Sequence, residues 1–153
     1  MKEKLRLDYD AFLRSFKRNI DIPHSVLLGA GASVTSGIQS AYDCIWEWKK
    51  DIYLSKNVNA SNYYKNYKDD SVRKSIQKWL DSQGEYPELD SNEEYSFFAE
   101  RAYPISDDRR KYFQSLIENK QPYIGYKLLC LLAENNIIKS VWTTNFDGLI
   151  VRS

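Results

Sequence analysis

The sequence has little histidine, cysteine, proline or glycine, with one His, two Cys, four Pro and six Gly in 153 residues. Cys44 and Cys130 lie in apolar helical patterns without the paired spacing of a zinc site, so we expect buried thiols in a reducing compartment. The single histidine, His24, precedes an apolar run and is more typical of a turn or surface residue than of a catalytic base. The sequence therefore predicts no metal site.

Long apolar runs and an excess of one charge are also missing. The longest apolar run, Leu128–Ala133, is far shorter than the about 20 residues of a transmembrane helix, and the charged N-terminus has no signal-peptide core. Lys and Arg number 22 against 21 Asp and Glu, so no global field attracts nucleic acid or an anionic membrane. We therefore expect a cytoplasmic protein that binds neither nucleic acid nor membranes.

An apolar run followed by small residues stands near the N-terminus. Val26–Leu28 is typical of a buried parallel strand, and an anion could approach the backbone N–H groups of Gly29–Ser33. Ser33 is a favoured N-cap, so we expect a helix to start there with its positive end toward a pyrophosphate. The alternative is a tight strand-to-helix turn without a ligand. Both the third small residue of the dinucleotide fingerprint and the Gly-Lys-Ser/Thr ending of the phosphate loop are missing.

The middle of the chain has helical periodicity. Ser40 is expected to cap a helix with Asp43 in its first turn, where a carboxylate stabilises the positive end of the helix dipole. Leu54–Asp70 has no apolar period and predicts a surface loop or mobile cover, whereas Ser91–Glu94 is typical of a capping box. We predict a largely helical insert between about residue 54 and residue 120.

A second strand is predicted near the C-terminus. Ile138–Thr143 is β-branched and aromatic, follows a helix that begins at Pro122, and leads into Thr144, Asn145 and Asp147. Ligands of open parallel sheets bind outside the C-terminal strand ends, so we expect this segment and the glycine loop to meet at one edge. The other interpretation makes Asn145 a turn residue and Asp147 a helix cap.

Three motifs resemble the sirtuin pattern in the same order. Gly29–Ser33, Gly37–Ser40 and Thr143–Leu149 correspond to the sirtuin Gly-Ala-Gly-x-Ser, Gly-Ile-Pro and Thr-Gln-Asn-Ile-Asp-Gly-Leu. The segment from Pro122 also resembles the sirtuin helix with an Ala-Leu-x-x-Leu repeat. The sequence is most similar to sirtuin-like domains of bacterial anti-phage defence proteins, which have Thr-Thr-Asn-Phe/Tyr-Asp and a Ser-x-x-Asp feature, here Ser40–Asp43. It departs from the family where Gln39 replaces the usual proline.

The resemblance implies an α/β fold with a Rossmann-like parallel sheet flanked by helices, in one domain over residues 1–153 that is incomplete in this chain. It also implies NAD as the substrate. Asn145 would be catalytic, orienting a water or the ribose hydroxyls, with the fixed negative charge of Asp147 beside it. Asp43 would lie near the nicotinamide ribose. The implied NAD-binding residues are Gly29, Ala30, Gly31, Ala32, Ser33, Gly37, Ile38, Asp43 and Thr144.

The acceptor of the cleaved ribose separates the remaining alternatives. The resemblance to the defence proteins favours water as the acceptor of the ribose. The reaction would then be NAD hydrolysis, which depletes the NAD of an infected cell. A protein deacylase and a non-catalytic nucleotide-binding module that controls the oligomeric state stay open. The histidine base of the family follows the Asn-x-Asp motif, so we expect it after Ser153 and expect residues 1–153 alone to be inactive. The implied partners are a second copy of the chain, or a sensor domain or protein.

Overall fold

The computed structural model describes residues 6–60 and 62–153, which form seven α-helices, one 3-10 helix and two β-strands. The first five residues of the charged N-terminus and Ser61 in the predicted polar loop lie outside the described residues. In chain order the elements are α1 Tyr9–Arg18, β1 His24–Leu28, α2 Gly31–Val34, α3 Ala41–Lys56, the 3-10 helix Asn62–Lys65, α4 Asp70–Gln83, α5 Glu94–Ala102, α6 Ser106–Ile117, α7 Ile124–Glu134 and β2 Ile138–Thr143.

The chain divides into two compact units. The described residues up to Ala32, together with Gln121–Ser153, form the first, which we call the sheet unit. Ser33–Lys120 form the second, the helical unit, and the division falls inside α2. The helical unit contains the segment of the predicted insert, about 54–120, and the assignment of all 153 residues to one domain stays a prediction.

The sheet unit is built on two parallel strands. β1 pairs with β2 from Ser25 opposite Ser140 to Leu28 opposite Thr143, after a register shift that follows His24. The hydroxyl groups of Ser25 and Ser140 lie 2.8 Å apart and add a side-chain bond to the ladder. Helices together with a parallel strand pair are compatible with the predicted α/β class.

The strands are less buried than their apolar sequence predicts. Leu28 and Ile138 are buried, but Leu27 is 73% exposed and Trp142 is 67% exposed. These two residues are opposite each other in the register and so share one face of the sheet. The prediction of fully buried strands is therefore wrong for this face, because no described element covers it.

Two further sequence expectations in the sheet unit are corrected. His24 is the first residue of β1 and is half-buried, with its ring 4.7 Å from that of Phe16 on α1, so it is not a surface turn residue. α7 begins at Ile124, two residues later than the Pro122 start that first-turn preferences predict. Tyr123 holds the extended N-cap position between them.

The start of α3 agrees with the sequence and the following loop does not. Ser40 is the N-cap of α3, as predicted, but the helix continues to Lys56 and the 3-10 helix lies within the predicted polar loop. The ring of Tyr53 lies 4.9 Å from Tyr64 and 5.3 Å from Trp79 between centroids. Ring contacts therefore pack this segment against the helical core, and an apolar period does not reveal such contacts.

The core of the helical unit encloses a complete charged side chain. Lys49 has no exposed surface, and its ammonium donates to Glu94 and, at 2.8 Å, to the Gln77 carbonyl oxygen. It also lies 4.6 Å from the Trp46 ring centroid and 5.1 Å from that of Phe98. These contacts join α3, α4 and α5, because each helix contributes at least one of the partners.

We predict that Lys49→Met lowers the free energy of unfolding by about 3–5 kcal/mol, because it leaves the buried Glu94 carboxylate without its partner. Lys49→Met/Glu94→Gln removes both charges, keeps an acceptor for the Asp90 N–H, and should recover most of that loss. Urea unfolding of the 153-residue chain measures both.

The matched control is Lys111→Met, which breaks an exposed pair with Asp108 on α6 and should cost less than about 1 kcal/mol. Equal losses for Lys49→Met and Lys111→Met would show that the buried pair does not stabilise the unit.

Candidate functional site

The glycine loop and the Asn-x-Asp segment lie side by side at the C-terminal edge of the strand pair. Leu28 is opposite Thr143 at the end of the ladder, and the Thr144 N–H donates to the Leu28 carbonyl at 3.2 Å. The Asn145 side-chain amide then donates to the Gly29 carbonyl at 2.9 Å. The sequence expectation that these two segments meet at one edge is confirmed within the sheet unit.

Asn145 and Asp147 are held by the local backbone. The Asn145 N–H donates to the Thr143 hydroxyl at 2.9 Å. Asp147 is buried, and its carboxylate accepts from the Leu149 N–H at 2.8 Å. A turn follows, with Gly148 at a φ of 63° that favours glycine. The carboxylate therefore caps a turn, and not a helix as the alternative interpretation of the sequence proposed.

Arg152 is a site neighbour that the motifs did not indicate. Its guanidinium donates to the backbone carbonyl of Asp147 at 2.7 Å and thereby closes the turn after the Asn-x-Asp motif. No pattern in the sequence marks this contact, because an arginine five residues after an aspartate has no fixed geometry outside a regular element.

The expected N-cap role of Ser33 is wrong. α2 begins at Gly31, so Ser33 is its third residue and is buried inside the short helix. The Ala32 N–H donates to the Gly29 carbonyl at 3.0 Å, which starts the helical turn before Ser33 is reached. Cap preferences describe a residue at a helix boundary and cannot show that the helix already begins at Gly31.

The two loop glycines are not required by the chain's own packing. Neither Gly29 nor Gly31 is among the glycines with positive φ, and a Cβ at either position would meet no described atom within 4 Å apart from those of its chain neighbours and of its own helix backbone. The space above the loop is therefore open. Small residues here leave room for a group from outside the chain to reach the backbone.

The remaining predicted binding residues lie in the helical unit. Ile38 is buried, and Gly37 has a φ of 80° in the turn that precedes it. The Ser40 hydroxyl accepts from the Asp43 N–H at 3.1 Å and donates to the Asp43 carboxylate at 2.7 Å. This reciprocal cap explains Asp43 structurally, and its place near a ribose stays a prediction.

The predicted site residues are thus divided between the units. The sheet unit holds Gly29, Ala30, Gly31, Ala32, Thr144, Asn145 and Asp147, and the helical unit holds Ser33, Gly37, Ile38 and Asp43. Within residues 6–60 and 62–153, no group of three or more His, Cys, Asp or Glu side chains could hold a metal ion. In the same part of the chain, no helix combines the length and the apolar character needed to cross a membrane.

Neither a protein-family model nor a curated protein matches this chain. The sirtuin resemblance therefore rests on the three motifs and their order, and it stays a hypothesis.

The two thiols differ in environment. Cys44 on α3 is buried, as predicted, but Cys130 on α7 is only half-buried and lies 3.0 Å from the Ser153 hydroxyl. The prediction of a buried thiol is therefore wrong for Cys130. Two other apolar residues of α7, Leu128 and Leu131, each keep about half of their surface in solvent.

A half-buried phenol, that of Tyr112, lies beside Cys44 in the helical unit. The Tyr112 hydroxyl donates to the Glu47 carboxylate at 2.9 Å, and a weaker contact reaches the Gln39 side-chain carbonyl at 3.5 Å. Burial raises the pKa of Tyr112 well above its ordinary value, and the charges of Cys44 and Glu47 raise it further. Burial also raises the pKa of the Cys44 thiol, although the contact with Tyr112 acts in the opposite direction.

These raised pKa values predict a loss of stability in alkali. The unfolded chain releases its tyrosine protons near about pH 10, whereas folded Tyr112 keeps its proton, so the unfolded state binds fewer protons at high pH. The stabilisation is complete below that pH and is lost as the pH rises. We expect Tyr112→Phe to reduce the alkaline fall in unfolding free energy by up to about 1.4 kcal/mol per pH unit.

Urea unfolding from about pH 7 to about pH 11 measures this slope. Tyr9→Phe changes a tyrosine that is 75% exposed and is the matched control, with no expected effect on the slope. The same alkaline slope in wild type and Tyr112→Phe would contradict the assignment.

Proposed function

We propose that this chain belongs to a sirtuin-like, Rossmann-fold NAD glycohydrolase of the anti-phage defence kind, which hydrolyses the nicotinamide–ribose bond. The observation that carries the proposal is the bond from the Asn145 side chain to the Gly29 carbonyl at 2.9 Å. It joins the two motifs that the family uses for NAD, although 116 residues separate them in sequence. Both motifs follow parallel strands, where open sheets bind their ligands.

The glycine loop, Gly29–Ser33, is the proposed binding site of the NAD pyrophosphate. A Cβ at Gly29 or Gly31 would meet no described atom within 4 Å other than those of its chain neighbours and its own helix backbone, which leaves a path to the loop backbone. Backbone N–H groups without a neighbouring Cβ are a common way of binding phosphate oxygens. The ribose and nicotinamide would then extend toward the Asn-x-Asp segment.

Asn145 is the proposed catalytic amide. When the glycosidic bond breaks, positive charge develops on the ribose. The Asn145 amide carries no charge of its own, so it can orient the attacking water without adding a charge beside the ribose. Water adds to the ribose carbon, nicotinamide leaves with the bonding electrons, and the water proton goes to a base. The bond to Gly29 fixes the orientation of the amide before substrate arrives.

Asp147 is the proposed source of fixed negative charge. Its carboxylate is buried, so its field is less screened than that of a surface carboxylate. The Leu149 N–H and the turn closed by Arg152 hold it in one position. A preorganised carboxylate of this kind stabilises a developing oxocarbenium ion without moving during the reaction.

One observation favours the non-catalytic nucleotide-binding module as a second candidate. Asn145, Asp147 and Asp43 each make an internal hydrogen bond that explains the residue without any reaction. Under this alternative NAD or a related nucleotide binds to the loop and no nicotinamide is released. Binding and turnover must therefore be measured separately.

We predict that Gly31→Val weakens NAD binding by more than about tenfold, about 1.4 kcal/mol, because the side chain occupies the path of the phosphate. Calorimetry with the 153-residue chain measures the affinity. Gly125→Val on α7 is the matched control, since a Cβ there also has open space, and it should leave binding unchanged. Equal NAD affinity in wild type and Gly31→Val would remove the pyrophosphate from this loop.

We predict that Asn145→Ala lowers nicotinamide release by about 10²–10³, or about 2.7–4 kcal/mol, while NAD affinity stays within a few-fold. The amide acts on a charge that develops only in the transition state, so its loss raises the barrier more than it weakens binding. Chromatography of nicotinamide from the complete gene product measures turnover, and calorimetry measures binding.

Asn135→Ala is the control for this substitution, because the Asn135 amide also donates to a backbone carbonyl, that of Leu131 at 2.8 Å. A thermal melt of both variants separates loss of fold from loss of chemistry. Wild-type turnover in Asn145→Ala would refute the catalytic role. NAD binding without nicotinamide release in the wild type would establish the binding module, and release dependent on an acyl-lysine peptide would establish a deacylase.

A further inference from the structure

The helical unit contains a cavity of about 340 Å³ between α4 and the first turns of α3. This volume lies in the range of small-molecule pockets, roughly 300–1,000 Å³. All of its lining residues belong to the helical unit, and none belongs to the predicted NAD site. Its walls come from the start of α3, from α4 and from Leu89 in the loop after α4.

One wall of the cavity is aromatic and rigid. Trp46 is only 4% exposed, and the guanidinium of Arg73 lies 5.4 Å from its ring centroid and 5.0 Å from that of Tyr42. Arg73 also donates to the Tyr67 carbonyl at 2.7 Å and to the Tyr42 hydroxyl at 3.1 Å. Four contacts therefore fix this cation and the two rings, so the wall exists before any ligand binds.

The buried Lys49 network reaches the cavity. Gln77 accepts from Lys49 through its carbonyl oxygen and donates from its amide nitrogen to the Asp81 carboxylate at 2.7 Å. The Gln77 side chain is thus held at both its oxygen and its nitrogen, and the Asp81 carboxylate already has a hydrogen-bond donor. The packing of the core and the shape of this wall are consequently linked.

The rim of the cavity carries cations with no ion-pair partner. Among the described residues, neither Lys74 nor Lys78 forms a salt bridge, and the two are four residues apart on α4, hence on one face of the helix. Arg73, Lys74 and Lys78 against Asp70 and Asp81 leave an excess of one positive charge. Two flexible ammonium groups at the mouth of an apolar cavity match a ligand with an anionic end.

We propose that this cavity binds a small organic anion with a planar apolar body. The body packs against Tyr42 and Leu89, each of which is 48% exposed, and the carboxylate, sulfonate or phosphate faces Lys74 and Lys78. A polyanion fits poorly, because Asp70 and Asp81 line the same cavity and repel additional negative charge. The site stands independently of NAD hydrolysis, since it needs neither the glycine loop nor Asn145.

The test uses anilinonaphthalene sulfonate, a planar apolar anion whose fluorescence rises on binding, with the 153-residue chain. Lys74→Gln/Lys78→Gln should weaken its binding by about tenfold or more, because the anionic end loses both cations. Neutral N-phenyl-1-naphthylamine has the same body without the charge, and its affinity should not change. Lys65→Gln/Lys68→Gln removes two exposed lysines outside the cavity and is the matched control.

Exposed apolar side chains elsewhere also attract this probe, so its position must be measured. Nitrogen–proton spectra resolve the indole N–H of each of the four tryptophans. We expect saturable shifts at Trp46 and no such shift at the exposed Trp142, and inorganic phosphate alone should shift neither because it lacks an apolar body. Absence of binding by the wild type, shifts confined to Trp142, or equal affinity in Lys74→Gln/Lys78→Gln would each overturn the proposal.

Discussion

The buried ammonium of Lys49 is the constraint on which the helical unit depends. A charge removed from water costs several kcal/mol unless hydrogen bonds and an opposite charge replace the water. Glu94 on α5 and Gln77 on α4 supply these partners, and Trp46 and Phe98 supply ring faces. The arrangement exists only when α3, α4 and α5 are all in place. A single side chain therefore makes the positions of three helices interdependent.

Local patterns predicted the elements of this unit better than its core. The Ser40 cap predicted the start of α3 because a cap depends only on the residues beside it. Helical periodicity predicts that a lysine such as Lys49 faces solvent. The residues Ser91–Glu94 at the start of α5 predicted that Glu94 belongs to a capping box. The structure instead pairs Glu94 with Lys49, 45 residues earlier in the chain. Such a pair depends on the tertiary fold, which no window of sequence contains.

At the sheet edge, likewise, some features could be predicted from sequence patterns, and others depend on what packs against the strands. The apolar strands and the order of their motifs predicted that the glycine loop and the Asn-x-Asp segment would meet, and the parallel register brings them together. The exposure of Leu27 beside Trp142 was not predictable, because an apolar strand has the same composition whether or not both faces are covered. Likewise the Ser33 cap failed since the helical turn closes at Gly29.

The choice of asparagine at the sheet edge has a structural reason that is separate from any chemistry. The Gly29 carbonyl lies just beyond the last ladder bond, and it accepts both from the Ala32 N–H at 3.0 Å and from the Asn145 side chain at 2.9 Å. An amide can donate, whereas an aspartate would place a carboxylate against the carbonyl. The structural role and the proposed catalytic role therefore require the same type of residue here. Only the difference between an effect on ground-state binding and an effect on the reaction barrier separates the two roles.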